Sequence, residues 1–230
     1  MKFQKVTKER VPHGRWYGDA CGTAFAMELV GERWSLMIIR ELMFGPRRFS
    51  ELRANLRGIS AKVLTERLVS LEATGAVRRE SLPGATGINL YGLTPWGQAA
   101  EPALQELGRW AARHSGHDPT LPLSPVSLML SMRTMLDRNR AGEFDASIGF
   151  RVAGEQFIAT LADGELSIRR GDAGDAAAIF SAPDASVIAR LLYADMPAEV
   201  LEGGAGLEIS GDRALALRFA GLFFLPDKLV

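Results

Sequence analysis

Cysteine is nearly missing from this chain of 230 residues: Cys21 stands alone. An intrachain disulfide framework is therefore excluded, and the usage suits a reducing cytosol. Histidine is also scarce. His13, His114 and His117 are the three present, and none lies at metal-ligand spacing or beside paired carboxylates. No apolar run approaches the roughly 20 residues that a membrane-spanning helix needs, and the opening "MKFQKVTKER" has no apolar signal core. The expectation is a cytoplasmic protein with no membrane partner. The Gly-rich stretch "EGGAGLE" lacks the lysine of a phosphate loop and precedes a strand-like run. Nothing in the sequence calls for a metal or a cofactor, and no catalytic constellation stands out, so an enzyme is not expected.

Net charge is missing as well, since 27 Lys and Arg balance 27 Asp and Glu. The balance hides an asymmetry. Residues 1–118 hold 17 Lys and Arg against 12 Asp and Glu, whereas residues 119–230 hold 10 against 15. A basic half joined to an acidic half suggests two modules with different partners, the first of them nucleic acid.

The apolar pattern divides the chain in the same way. Residues 1–19 read as a polar arm. A short helix over 20–30 ends at Gly31, and "RWSLMIIRELMF" is apolar on nearly every side, as in a helix surrounded by neighbours. Gly45-Pro46 stops it. In "FSELRANL", Phe49, Leu52 and Leu56 recur at helical spacing. Ser60 is a good N-cap for "AKVLTERLVSLEATG", where Leu64, Leu68 and Leu71 form one stripe and Lys62, Thr65, Glu66 and Val69 fall opposite. The runs "AVRRESL" and "INLYGL", joined by "PGATG", predict a β-hairpin. Thr94-Pro95 opens a longer helical stretch in which Pro102 predicts a kink or a boundary. The proline-rich segment 116–125 reads as a linker. The domains expected are thus 20–115 and 126–230.

A helix, a tight turn, a capped second helix and a hairpin make a winged helix-turn-helix. The second helix of such a unit fits the major groove of B-DNA, and helix N-termini with nearby arginines meet phosphates. Taken together, "GERW", "RELMFGPRRFSEL", "GISAKVLTERL", "LEATGAV" and "YGLTPWG", with Cys21, resemble the HxlR group of bacterial transcriptional regulators, relatives of the MarR regulators, over roughly residues 15–113. The resemblance implies a homodimer on double-stranded operator DNA, built largely from terminal helices, here the N-terminal region and residues 95–115. It places the recognition helix on residues 60–74.

On that basis Lys62 and Thr65 are expected to reach bases, and Ser60 to lie near the backbone. Arg47 and Arg48 are the phosphate candidates. Arg67 either reaches DNA or braces the wing. Arg78 and Arg79 alternate along a wing strand, so one of the two faces DNA. The tip "PGATG" carries no Lys or Arg, which counts against its insertion into the minor groove. Arg53 and Arg57 stay undecided. Trp34 and Trp110 read as core or dimer packing. Cys21 either senses oxidants or electrophiles, as cysteines of this region do in some members of the group, or packs as a small apolar residue.

The second half alternates a helix near 125–139, the strand-like runs "ASIGFRVA", "QFIATLA", "ELSIRR" and "AAIFSA", two helices, the strand "GLEIS" and a last helix. Asp-Gly and Gly-Asp punctuation suggests hairpins in an antiparallel sheet. The overall class is α+β: a winged helix-turn-helix followed by an α+β sandwich, a sheet with helices on one face. Pieces such as "SAPDASVIARLL" and "GLEISGDRALALRFAGLF" resemble the sterol-carrier-protein-type fold, which often encloses an apolar tunnel. Phe150, Phe157, Ile188, Leu192, Phe219 and Phe223 are then candidates either to line a cavity for a small apolar effector or to pack a core. The domain serves such an effector or assembly. The whole reads as a repressor on an inverted repeat. The alternative is a lipid-carrying or acyl-handling protein whose winged helix is a protein-interaction module.

Overall fold

Apolar residues spaced three and four apart bury one face of a helix and leave the other in water. The computed structural model, which describes residues 17–81 and 89–229, is built on that rule. By contacts the chain divides into two units. One takes the described residues up to Leu42 together with Pro46–Ala99; the other takes Met43–Gly45 and the described residues from Ala100 onward.

In the first unit the helices are α1 (Gly22–Val30), α2 (Ser35–Leu42), α3 (Phe49–Asn55), α4 (Ala61–Ala73) and α5 (Pro95–Gln98). A short strand β1 (Arg47–Arg48) and the pair β2 (Val77–Ser81) and β3 (Asn89–Leu93) form an antiparallel sheet ordered β1-β3-β2. The sequence reading expected the hairpin but not β1, and its tip "PGATG" lies outside the described residues. Ile38, Ile39 and Leu42 of α2, Leu52 and Leu56 around α3, and Leu64, Leu68 and Leu71 of α4 are all at most 1% exposed. Each such side chain contributes about 2 kcal/mol of burial.

Two local devices hold α4 in place. Gly75, at φ +78°, takes the left-handed conformation that ends the helix, and the amides of Gly75 and Ala76 donate to the carbonyls of Glu72 and Leu71, each at 3.0 Å. The Thr94 hydroxyl then donates to Gly75 O at 2.6 Å and accepts from Gly97 N at 3.0 Å, fastening α5 to the end of α4.

The second unit begins with α6 (Glu101–Ala112), which has Pro102 in its first turn, so the predicted break is a helix boundary. The division between units at Ala99 and Ala100 falls ahead of the 116–125 segment. The reason is local: α6 packs along α7 (Pro125–Met135), and Arg133 Nη1 sits 2.6 Å from Glu101 Oε1. Lys228 Nζ also donates to Ala112 O at 2.9 Å, and Leu229 N to Arg113 O at 2.8 Å.

After a short α8 (Arg138–Ala141), five strands follow: β4 (Ala146–Val152), β5 (Glu155–Ala162), β6 (Glu165–Arg170), β7 (Ala178–Ala182) and β8 (Glu208–Gly211). The helices α9 (Ala185–Tyr193) and α10 (Ala198–Gly204) separate β7 from β8, and α11 (Arg213–Ala220) comes last. The sheet order is β6-β5-β4-β7-β8. The neighbours β4-β5 and β5-β6 pair antiparallel, as the turn punctuation suggests, but β4 and β7 run parallel, with Phe150 opposite Phe180. Turn residues report only on strands adjacent in sequence, and β4 and β7 are not.

The close approach of α5 to the end of α4 yields a test. A Cβ added at Gly97 would lie 2.1 Å from the carbonyl oxygen of Ala76, a backbone atom that cannot step aside. Gly97→Ala is expected to lower the unfolding free energy by about 1–3 kcal/mol in denaturant titration, and an unchanged midpoint would contradict this packing.

Candidate nucleic-acid interface

The turn between α3 and α4 is short because Ile59, 6% exposed, is pinned in the core and its amide donates to Leu56 O at 3.1 Å. Ser60 then caps α4 as expected, its Oγ accepting from Val63 N at 3.2 Å. The cap aligns the first-turn amides and so leaves a partial positive charge at the outer end of the helix.

With Leu64, Leu68 and Leu71 turned inward, Lys62, Thr65, Glu66 and Val69 are all exposed. The Lys62 side chain makes no hydrogen bond or ion pair among the described residues. The Thr65 hydroxyl donates to Ala61 O at 2.9 Å, so it offers a partner its two acceptor lone pairs and its methyl group.

The arginines separate into different roles. Arg48 is exposed, and its amide donates to Glu51 Oε2 at 2.6 Å, which caps α3. Arg47 is a correction: its side chain is 7% exposed, with Nη1 4.0 Å from Glu51 Oε1. With so little of its side chain exposed, the guanidinium offers a phosphate almost no surface. The Arg67 side chain is 21% exposed. Its Nη2 lies 3.1 Å from Glu32 Oε2, tying α4 to the turn after α1.

Both wing arginines are exposed, because the outer faces of β2 are solvated along most of its length. Arg78 is tied to Glu80 and donates to Leu93 O at 2.9 Å, while Arg79 has no such tie among the described residues. Arg53 and Arg57 are exposed. Trp34 is half-buried at the start of α2 with φ +82°, under the guanidinium of Arg33. Trp110 is 73% exposed.

Cys21 is exposed at the N-cap position of α1. It makes no capping hydrogen bond through its side chain, yet the amides of Ala24 and Thr23, followed by the Thr23 hydroxyl, hold the thiol below its ordinary pKa. Beside it, a cavity of about 240 Å³ is bounded by Tyr17, Asp19, Phe25 and Glu28.

The second-unit candidates are all interior: Phe150, Phe157, Ile188 and Phe219 are 0% exposed, and Leu192 and Phe223 are 3% exposed. Ring centroids of Phe150 and Phe180 lie 5.5 Å apart, those of Phe219 and Phe223 5.0 Å, and those of Phe150 and Phe219 6.2 Å. A recess of about 470 Å³ in this unit is polar and includes none of the six. Among the described residues no group of His, Cys, Asp and Glu could hold a metal, and no helix is long and apolar enough to cross a membrane.

A helix, a tight turn, a capped helix with an open outer face and an antiparallel strand pair define a winged helix-turn-helix. Residues 29–119 match the HxlR-like helix-turn-helix family. The HTH-type transcriptional regulator YvaP of Bacillus subtilis is 40% identical over 86 residues, which is 37% of this chain and 80% of that protein. YodB of the same organism, also an HTH-type transcriptional regulator, is 42% identical over 86 residues, 37% of this chain and 77% of YodB. The structure of reduced YodB is 38% identical, covers 43% of this chain and 98% of that one, and has a TM-score of 0.39. The chain belongs to the HxlR-like helix-turn-helix family.

The environment of Cys21 predicts how the thiol titrates. Rates of iodoacetamide alkylation against pH should give a midpoint below that of an ordinary thiol, and Thr23→Val should move it upward. A midpoint at the ordinary value in the parent protein would contradict the placement of those amides.

Proposed function

We propose that this protein is a cytoplasmic transcriptional regulator, a repressor, that binds an inverted repeat in double-stranded DNA as a homodimer. The observation that carries the reading is the outer face of α4, where a cap, an exposed unpaired Lys62 and Thr65 sit on a helix whose other face is committed to the core. Family membership supports it, since the relatives named above are transcriptional regulators.

In this reading Lys62 and Thr65 contact bases, Ser60 lies beside the backbone, and Arg48 and Arg79 contact phosphates. Arg78, held by Glu80, contributes less. Two-fold symmetry would set the recognition helices about one DNA turn apart. Phe25 on α1, 51% exposed, and Leu107 and Trp110 on α6, 45% and 73% exposed, supply apolar surface for assembly. An exposed Cys21 with a stabilised thiolate supports a sensing role for that residue.

For the second unit, one sheet with helices between and after its strands supports a sterol-carrier-like sandwich. The six buried candidates and their ring contacts favour a packed domain serving assembly over one serving an apolar effector, and they count equally against a lipid-carrying protein.

Fluorescence anisotropy with labelled duplexes over a range of salt tests the reading. Affinity should fall linearly on logarithmic axes. Arg48→Ala should weaken binding to all duplexes alike and reduce the salt slope by about 0.9 per subunit, while Lys62→Ala should alter the ranking of sequences. If the intact chain shows no salt-sensitive binding to any duplex, the proposal fails.

A further inference from the structure

Two residues of the exposed α4 stripe are unexpected on a surface that meets DNA. Glu66 brings a negative charge toward a polyanion. Val69, 59% exposed, leaves an apolar side chain in water beside the polar residues of the same helix. Neither has a structural task that explains it. The Glu66 side chain makes no hydrogen bond or ion pair among the described residues, not even with the Lys62 ammonium one turn earlier. Val69 points away from the leucine stripe that holds the helix to the core.

The geometry of the helix puts them in register with Lys62. At about 100° per residue, Thr65, Val69, Lys62 and Glu66 fall within an arc of about 100°. At about 1.5 Å per residue, Glu66 lies about 6 Å and Val69 about 10 Å along the axis from Lys62. Base pairs follow one another every 3.4 Å or so. The three side chains therefore span about three consecutive steps of a groove that the helix follows.

The chemistry of the groove then narrows what each can meet. A carboxylate only accepts hydrogen bonds. In the major groove guanine shows two acceptors and thymine one, which repel it, and adenine sets its N7 acceptor beside its amino donor. Cytosine shows the N4 amino group with no acceptor next to it, and is the base a carboxylate reads. A branched apolar side chain matches the one apolar feature in the groove, the C5 methyl of thymine.

Resting on the DNA-binding function proposed above, we infer that Glu66 and Val69 are specificity-determining residues: Glu66 accepts from the N4 amino group of a cytosine, and Val69 packs on a thymine methyl within the same run of base pairs. Glu66 excludes wrong sequences more than it adds affinity, because its charge is unfavourable wherever no amino group meets it.

Selection of tight-binding duplexes from a randomised pool, carried out with the intact chain and with single variants, tests the inference. Both residues are exposed, so the variants should fold, and a circular dichroism melt confirms that they do. The parent should enrich one cytosine that it prefers over other bases by roughly tenfold or more. Glu66→Ala should lose that preference while binding arbitrary duplexes at least as well as the parent, and Glu66→Gln should move the preference to adenine, which an amide reads through N6 and N7. Replacing the neighbouring thymine by uracil removes only a methyl group. It should weaken the parent roughly threefold to fourfold and leave Val69→Ala unaffected.

Retained cytosine preference in Glu66→Ala, or an equal uracil effect in Val69→Ala, would overturn the inference while leaving DNA binding intact. Absence of any duplex binding by the parent would overturn the DNA-binding function itself, and the inference with it.

Discussion

Burial of Leu64, Leu68 and Leu71 is the constraint on which the first unit depends. All three are at most 1% exposed against a core that includes Ile38, Ile39, Leu42 and Leu52. Rolling α4 by one residue would bring a polar or charged side chain into that core and expose leucine, at several kcal/mol. The roll of the helix is therefore fixed, and with it the set of side chains that can meet a partner. Ser60 fixes the start of the helix and Gly75 its end, so position along the axis is set as firmly as rotation.

The arginines illustrate how a neutral chain can hold a specialised surface. Arg47 and Arg67 are consumed by carboxylates within the first unit, at Glu51 and Glu32. Arg48 remains exposed with its backbone in a cap. Charge counted along the sequence treats these residues alike, whereas the fold leaves the Arg47 side chain 7%, and that of Arg67 21%, exposed.

Local features were the legible ones. The cap at Ser60, the leucine stripe, the boundary at Pro102 and the hairpin strands each follow from residues a few positions apart, and each stands where the spacing put it. What stayed hidden depends on partners distant in sequence. The burial of Arg47 requires the short strand β1 to pair with β3, and no periodicity announces a two-residue strand. The Arg67 pairing joins residues 35 positions apart. The parallel β4–β7 pair brings Phe150 beside Phe180 across two intervening strands, which turn chemistry cannot foresee. The six apolar second-unit candidates are interior in the structure, and spacing along the sequence leaves open whether such residues enclose space or fill it.

Under the proposed function, the outer face of α4, presented twice by a symmetric dimer, reads duplex DNA. Footprinting of the intact chain on the DNA adjoining its own gene tests this most directly. Two protected segments related by an inverted repeat are expected, with centres about one helical turn apart, and both should be lost as salt is raised. Uniform cleavage across the fragment at low salt, with folded protein in excess, would contradict it.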